Sequence, residues 1–381
     1  FGDQVDTQWR PETGGATSHA AILARSLGIP AVVAVSDEAL LDVASGDMLA
    51  LNGDSGEVIL NPSQATTEKY YAQRERSRQR IAVMQAASGG ETRTSDGHRV
   101  RIEANAGDLV SVKAAIAQDA DGIGLLRTEF LFLDEPRPPD EDHQVKVYQS
   151  LLTEFGQRPV TFRTLDVGGD KPPRYMRLPR EDNPFLGLRG VRATLNDPAL
   201  FKTQLRALLR AASGYQVSLM FPMIESVETL RVAKSLLIEA RVELNDEGIE
   251  HSQNVPFGIM IETPAAALLI DVLAHECDFF SIGTNDLTQY TLAADRDNPH
   301  VSAYFRLLSP AVLRLVQQVI DAAQVAGKPV SLCGELAGFP LALPILLGLG
   351  LEKFSMTPGA ITQARWIVRH LARDEAALMA T

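Results

Sequence analysis

Cysteine is scarce in this sequence: its 381 residues include two, Cys277 and Cys333, which lie far apart. Two isolated cysteines exclude a disulfide framework, and their surroundings match no zinc-binding pattern. We therefore expect the chain to work in a reducing compartment, the cytoplasm.

Long apolar runs and an excess of basic residues are also missing. No stretch is long enough to cross a bilayer, and no signal peptide is recognisable. The 36 basic residues are outnumbered by 48 acidic ones, which gives a net charge of −12. Because an acidic chain has little non-specific attraction for nucleic acid, we expect neither a nucleic-acid nor a membrane partner. An anionic substrate would need a local basic pocket.

The sequence does have a hydrophobic content of 45%, enough for one large domain and a smaller one. Residues 1–61 combine a glycine-rich loop with short strand-like runs and turn signals such as Asn52-Gly53. Residues 62–96 are charged at first and end in a glycine-containing stretch, which favours a solvated connecting helix and a linker. Because the first pattern is incomplete at Phe1, we expect the chain to be part of a longer protein.

Short apolar runs alternate with helical patterns from residue 97 onward. This alternation favours an α/β fold in which crossover helices join parallel strands. Eight such units in about 280 residues fit a closed (β/α)8 barrel, the TIM barrel, although a doubly wound open sheet would also alternate in this way. The predicted strands are Val100–Ala104, Gly122–Leu126, Val160–Thr164, Val217–Phe221, Phe257–Ile261, Phe279–Ile282, Val330–Leu332 and Phe354–Met356.

Polar or ionisable side chains follow nearly all of these predicted strands. In a parallel barrel the carboxyl ends of the strands meet at one mouth, so these side chains should lie close together. Polar residues are common at strand ends, but this mixture of arginines, acids and a thiol indicates a binding site. The residues are Asn105, Arg127, Glu129, Arg163, Asp166, Glu225, Glu262, Asn285, Asp286, Cys333 and Glu335.

Three arginines indicate the charge of the ligand. Arg127 directly follows a predicted strand, Arg163 lies at the carboxyl end of another, and Arg189 ends the segment Asn-Pro-Phe-Leu-Gly-Leu-Arg. Each one alone could be paired with an acid for structural reasons. Together they suit a ligand that carries both phosphate and carboxylate, because a guanidinium group can bind either through two hydrogen bonds.

Two acids and one thiol complete the predicted mouth. Glu262 and Asp286 follow consecutive strands and could hold Mg²⁺ with substrate oxygens and water, although neutralisation by the arginines would also explain them. Cys333 follows a strand and precedes Gly334, which would give its thiol access to the mouth as a general acid. The alternative is an inert buried thiol, and we interpret Cys277 in that way.

His19 is a candidate functional residue because of the residues around it. It closes a loop of small residues and opens a helix-like run within Gly14–Arg25, GGATSHAAILAR. At a helix N-terminus the backbone N–H groups and the helix dipole favour an anion, so a phosphohistidine would be stabilised there. The other histidines have no comparable surroundings, and we assign them no role.

Four segments carry a family resemblance. The loop Gly14–Arg25 resembles the phosphohistidine signature of enzymes that use phosphoenolpyruvate (PEP), and Asp278–Arg296 resembles their second signature. Arg163–Lys171 and Asn183–Gly187 are similar to the Enzyme I branch of that family, which belongs to the bacterial sugar phosphotransferase system. The resemblance covers almost the whole chain from Glu12 onward.

The resemblance implies a role for each candidate residue. Cys333 would protonate the enolate to give pyruvate, and His19 would pass its phosphoryl group to the carrier protein HPr or to an HPr-like domain. The family also implies Mg²⁺ as cofactor and a homodimer formed through the barrel. The implied PEP-binding residues are Arg127, Arg163, Arg189, Asn285 and Arg296, and the implied Mg²⁺ ligands are Glu262 and Asp286.

The resemblance also implies a domain plan, with three alternatives for function. Residues 1–61 would be part of a swivelling phosphohistidine α/β domain, 62–96 a helical linker and 97–381 the PEP-binding barrel. A dikinase or PEP synthase would need a nucleotide-binding domain, and the sequence has no P-loop. A PEP sensor without catalysis would not need both His19 and Cys333, and a purely structural barrel would need neither signature.

Overall fold

The structure is a computed structural model that describes residues 29–32, 35, 43–53, 55–86, 89–133, 135–169, 173, 175–176, 178–298 and 300–380. Contacts divide the chain into two units, one from residues 1–88 and 293–305 and the other from residues 89–292 and 306–381. None of the helices within the described residues is both long and apolar enough to cross a membrane.

The smaller unit contains a hairpin and a long helix. Strands β1 (Leu49–Asn52) and β2 (Glu57–Leu60) pair antiparallel around the turn at Gly53. Helix α1 (Gln64–Ala86) runs for 23 residues, of which Met84 is buried. Its Tyr70 hydroxyl donates a hydrogen bond to the Glu57 carboxylate at 2.6 Å, which ties the helix to the hairpin.

The larger unit is a closed barrel of eight parallel strands in the order β10-β3-β4-β5-β6-β7-β8-β9. This topology confirms the predicted (β/α)8 barrel and rules out the open sheet. The strands are β3 (Arg101–Ala106), β4 (Ile123–Leu126), β5 (Val160–Arg163), β6 (Val217–Phe221), β7 (Phe257–Ile261), β8 (Phe279–Ile282), β9 (Val330–Leu332) and β10 (Lys353–Met356).

Helices surround the barrel and connect consecutive strands. They are α2 (Leu109–Ala117), α3 (Phe130–Leu133), α4 (Glu141–Phe155), α5 (Val191–Leu195), α6 (Pro198–Ala211), α7 (Val227–Asp246), α8 (Pro264–Leu268), α9 (Ile270–Leu273), α10 (Thr284–Leu292), α11 (Pro310–Val325), α12 (Ala342–Gly348), α13 (Ile361–Arg369) and α14 (Arg373–Ala380). Short 3₁₀ helices lie at Pro184–Leu186, Ser302–Tyr304, Glu335–Gly338 and Pro358–Ala360.

Side-chain caps fix where the crossover helices begin. Asp108 accepts a hydrogen bond from the Ser111 N–H at 2.7 Å at the start of α2, and Asp140 caps α4 through the His143 N–H at 2.8 Å. Such a cap satisfies a backbone donor that would otherwise lack a partner. It thereby sets the length of the loop that connects each strand to its helix, and these loops form the mouth of the barrel.

The core lies between the strands and the surrounding helices. Phe201 of α6 packs edge-on against Phe221 of β6 with ring centroids 5.9 Å apart, and Tyr148 of α4 packs similarly on Phe162 at 5.3 Å. A second cluster of buried side chains comprises Leu125, Met220, Met260 and Cys333. Apolar contact on both faces explains why the strands read as continuous apolar runs in the sequence.

Glu103 is a buried carboxylate of β3, 1% exposed, near the amino-terminal ends of the strands. Its oxygens lie 3.1 Å from Lys353 Nζ and 3.5 Å from the Arg101 guanidinium. Burial raises the pKa of Glu103 above its ordinary value of 4.5, and the two cations lower it only in part. The ionised carboxylate is therefore less favourable in the folded protein than in the unfolded chain.

We expect Glu103→Gln to change how stability depends on pH. Above pH 4.5 the unfolded state releases its Glu103 proton while the folded state retains it, so the free energy of unfolding falls as pH rises toward the folded-state pKa. Removing this group should make the variant progressively more stable relative to the parent protein as pH rises. Urea unfolding at several pH values measures the difference, and Glu154→Gln on the exposed surface of α4 is the control. A difference that shrinks with rising pH would contradict this assignment.

Candidate active site at the barrel mouth

The predicted site residues of the barrel lie at the carboxyl ends of the strands. Arg163 is the last residue of β5, while Arg127, Glu262 and Cys333 directly follow β4, β7 and β9. Asp286 lies in the first turn of α10, close behind β8. Because all eight strands are parallel, these positions share one mouth, as the sequence predicts.

Arg163 and Arg189 form a hydrogen-bonded cluster with three carboxylates. Asp166 accepts from Arg163 Nη1 at 2.9 Å and from Arg189 Nε at 3.3 Å, so one carboxylate holds both guanidinium groups. Arg163 Nη2 lies 3.2 Å from Glu129 Oε1, and Arg189 Nη1 donates to Asp286 Oδ1 at 2.7 Å. The pairing fixes the orientation of both arginines.

The carboxylates compensate for the burial of these two arginines. Arg163 is 9% exposed and Arg189 is 6% exposed. Burial alone would lower the pKa of each guanidinium, but the adjacent carboxylates raise it by more. Both groups therefore stay charged in a site that is largely closed to water, where each guanidinium could donate charge-assisted hydrogen bonds to an anionic ligand.

Glu262 is the most deeply buried carboxylate of the mouth, 1% exposed. Its Oε1 accepts a hydrogen bond from the Met223 N–H at 2.6 Å, and Met223 has a left-handed backbone with φ of 55°. Such a conformation is costly for a residue with a side chain and often marks a functional site. Burial, together with the charges of Asp286 and Asp166, raises the pKa of Glu262 to about 8.

The donor set of this mouth fits a divalent cation of the Mg²⁺ type. Beside the three carboxylates that pair with the two guanidinium groups lies a fourth carboxyl group, that of Glu262, and a cation there would favour its ionised form against the raised pKa. Glu262 Oε2 is buried and has no hydrogen-bond partner within the described residues. Two carboxylates, with the remaining positions taken by substrate oxygens and water, are a donor set that Mg²⁺ accepts.

Cys333 lies at the inner end of the mouth and is 3% exposed. Its Sγ lies 3.7 Å from the Ile282 carbonyl oxygen, and its neighbours in the apolar cluster include Met220 and Met260. Burial raises the pKa of the Cys333 thiol to about 11, while a hydrogen bond with Ser281 opposes that rise. The group is therefore a neutral thiol at physiological pH, which suits a proton donor better than a nucleophile.

The remaining candidates differ in position. Asn285 is half-buried, and its Oδ1 accepts from the Glu335 N–H at 2.8 Å, whereas Arg127 is exposed. Arg296 belongs to the smaller unit by its contacts and lies 3.7 Å from the Asp297 carboxylate. His19 and its loop lie outside the described residues.

Several residues of the cluster gain a role only in the structure. The sequence indicates Asp166 and Glu129 as polar residues behind strands, but it does not reveal that they hold the arginines. Tyr290 carries no such signal; its hydroxyl accepts from Arg189 Nη1 at 3.2 Å and donates to the Phe185 carbonyl at 2.6 Å. The position of Asp166 three residues after Arg163 is the sequence feature that could have indicated their ion pair.

Comparison with known proteins identifies the family. Residues 82–373 match the family model described as the PEP-utilising enzyme, PEP-binding domain, and residues 11–56 match that of the mobile domain. The chain belongs to the PEP-utilising enzymes. The matched PEP-binding region contains the entire barrel and therefore the arginine–carboxylate cluster.

Curated relatives align with this PEP-utilising enzyme over nearly the whole of the present chain. The phosphoenolpyruvate-protein phosphotransferases of Bacillus sp. (strain S) and Geobacillus stearothermophilus are each 46% identical over 96% of this chain. That of Staphylococcus carnosus is 45% identical over 95%. The chain spans 63% of the length of each of these relatives.

Gly168 brings two loops of the PEP-utilising enzyme into close contact. Its φ is 112°, and a Cβ atom there would lie 2.2 Å from the Leu188 carbonyl oxygen and 2.8 Å from the Arg189 Cα. A side chain at position 168 would therefore have to push back the segment that carries Arg189. Gly214 also has a positive φ, of 79°, but a Cβ there would meet nothing within 4 Å.

We expect Gly168→Ala to weaken PEP binding by about tenfold or more, because a displaced guanidinium loses its alignment with the ligand. Gly214→Ala is the matched control: it should cost about 1 kcal/mol of stability through the same backbone strain and leave the affinity unchanged. Isothermal titration calorimetry gives the affinities and thermal unfolding the stabilities. Equal affinities in the two variants would show that the Gly168 contact does not align Arg189.

Proposed function

We propose that this chain transfers the phosphoryl group of PEP to His19 and releases pyruvate, as a phosphoenolpyruvate-protein phosphotransferase of the Enzyme I type. The observation that carries the proposal is the pair of buried guanidinium groups, Arg163 and Arg189, held 2.9 and 3.3 Å from one Asp166 carboxylate at the barrel mouth. The names of the relatives, at 44–46% identity, support the same activity.

The arginines would bind PEP by exchanging partners. A phosphate and a carboxylate each match the two parallel N–H groups of a guanidinium. Ligand oxygens could therefore replace oxygens of the protein's own carboxylates as acceptors of the arginine N–H groups. Arg163 and Arg189 would provide the buried contacts, and Arg127 the exposed one. Arg296 and Asn285 would complete the set. Because the groups are already charged and oriented, little reorganisation would be needed when negative charge moves during the reaction.

Glu262 and Asp286 would hold Mg²⁺. Their support is the fourth carboxyl group of the mouth, that of Glu262, whose buried Oε2 lacks a hydrogen-bond partner among the described residues. When bound, the ion would neutralise negative charge on PEP and on the carboxylates themselves. Asp286 would then share its charge between the ion and Arg189, which it already contacts at 2.7 Å.

The phosphoryl transfer itself would be an in-line displacement at phosphorus. A neutral ring nitrogen of His19 attacks phosphorus, the bridging P–O bond breaks, and its electron pair passes to the enolate of pyruvate. The methylene carbon of that enolate then takes a proton from the Cys333 thiol, which is left as a thiolate. A pKa raised to about 11 by burial keeps the proton on sulfur until the more basic carbanion-like carbon removes it.

The partner, the oligomeric state and the domain plan are proposed on the family resemblance. His19 would pass its phosphoryl group to HPr or an HPr-like domain in the cytoplasm, and the barrel would form a homodimer. Residues 1–61 would belong to the swivelling phosphohistidine domain, 62–96 to a helical linker and 97–381 to the PEP-binding barrel. Sedimentation with and without ligand tests the dimer, which a strict monomer at all concentrations would contradict.

The direct test of the function uses PEP labelled on phosphorus. We expect purified protein, PEP and Mg²⁺ to give acid-labile label on His19, with pyruvate released in equal amount. Removal of Mg²⁺ with a chelator should abolish the label, and so should Glu262→Ala or Asp286→Ala. His19→Ala is the control for site assignment. Label on another residue, or label that persists without any divalent cation, would contradict the proposal.

The role of Cys333 can be separated from that of a structural thiol. Cys277 is also buried, 2% exposed, and its Sγ lies 3.4 Å from the Leu273 carbonyl oxygen, so it provides a matched control. We expect Cys333→Ala to bind PEP normally and to form pyruvate about 10²–10⁴-fold more slowly, whereas Cys277→Ala should lose stability only. Stopped-time pyruvate assays measure the rates. Wild-type turnover in Cys333→Ala would remove this residue from the mechanism.

A further inference from the structure

Gln204 of α6 is a buried amide behind the barrel mouth, 1% exposed. Its Oε1 accepts a hydrogen bond from the Leu165 N–H at 3.0 Å. Its Nε2 donates to Thr128 Oγ1 at 3.0 Å and to the Tyr148 hydroxyl at 3.3 Å. An amide has two N–H donors, and here both are used inside the protein.

The hydrogen bonds run in one fixed direction. Because the Leu165 N–H can only donate, Gln204 must present its oxygen there and its two N–H groups to the hydroxyls. Thr128, having accepted from Gln204, donates to the Arg163 carbonyl at 3.1 Å. Tyr148 in turn donates to Gln144 Oε1 at 3.3 Å. The hydroxyls of Thr128 and Tyr148 each accept one hydrogen bond and donate one. Reversing the direction of any one of these bonds would break another.

The hydrogen bonds of Gln204 and Thr128 connect the two loops that carry the arginine–carboxylate cluster, those that follow β4 and β5. Thr128 lies between Arg127 and Glu129, and Leu165 lies between Arg163 and Asp166. Gln204 thus holds the backbone on each side of Thr164, at the point where the chain leaves β5. A further hydrogen bond links the same two loops: the Glu129 carboxylate accepts from the Asp166 N–H at 2.9 Å.

We infer that Gln204 is a positioning residue for the PEP site: through Thr128 and Leu165 it sets the direction from which Arg163 and Asp166 enter the mouth. The inference rests on the proposed function, since it names what aligns the binding arginines. The Gln204 side chain is buried and hydrogen-bonds to Leu165, Thr128 and Tyr148, so it would not contact the substrate itself. It belongs to a helix outside the barrel, so its effect on the ligand would pass through the Thr128 hydroxyl and the backbone of the two loops.

The test is Gln204→Met with Gln144→Met as the matched control. Gln144 is equally buried, at 0% exposure, contacts the same Tyr148 hydroxyl and donates to the Pro139 carbonyl at 2.9 Å, but it bonds to neither mouth loop. Both changes replace a glutamine by a side chain of similar length without donors. Affinity for PEP with Mg²⁺ is measured by calorimetry and stability by thermal unfolding.

We expect both variants to lose thermal stability, but only Gln204→Met to lose PEP affinity, by about 10- to 100-fold. Equal affinity losses in the two variants, or none in either, would overturn the positioning role. If the unaltered protein fails to bind PEP, the proposed function falls and this inference falls with it, which is a different outcome from normal binding with indifferent variants.

Thr128→Val provides a second route to the same answer if Gln204→Met does not fold. It removes only the hydroxyl that joins Gln204 to the Arg163 carbonyl. We expect an affinity loss in the same direction and recovery in Thr128→Ser, which restores the hydroxyl. The losses from Gln204→Met and Thr128→Val should not add when combined, since both act on one link. Unchanged affinity in Thr128→Val would overturn the inference.

Discussion

The bridge from Asp166 to both Arg163 and Arg189 is the interaction on which the site depends. Two buried cations repel each other, and neither could stay in a mouth so closed to water without a shared anion. Asp166 lies 2.9 Å from one guanidinium and 3.3 Å from the other, and Glu129 and Asp286 hold the outer sides. The mouth thus holds two charged guanidinium groups in fixed orientations, each able to donate hydrogen bonds to an anion.

The barrel architecture explains how so many charged side chains can lie close together without exposing or disrupting the apolar core. Its strands contribute apolar side chains to the surrounding core, while their carboxyl ends point to one face where loops are free to be polar. Three buried polar side chains behind that face are paired with one another and with the loop backbone: Gln204, Thr128 and Tyr148. A network that satisfies all its donors is rigid, because any rearrangement leaves a buried group without a partner.

Much of the fold could be predicted from the sequence, because each parallel strand is buried on both faces and reads as an apolar run. Strands β6 to β9 have the predicted bounds, β4, β5 and β10 differ by one residue at one end, and β3 begins one residue later and ends two residues later than predicted. The mouth residues were predictable for the same reason, since they follow strands. Gln204 and Tyr290 were not, because their roles come from contacts with residues far away in sequence, which no local pattern records.

A crystal structure with PEP and Mg²⁺ tests the central claim, that the arginine–carboxylate cluster is the PEP site, most directly. The His19→Ala chain is suitable, since it lacks the proposed acceptor. We expect the phosphate and carboxylate of PEP within about 3 Å of the Arg163 and Arg189 guanidinium groups, with the ion bound by Glu262 and Asp286. PEP bound elsewhere, with Arg189 still paired to Asp286 and free of ligand, would contradict it.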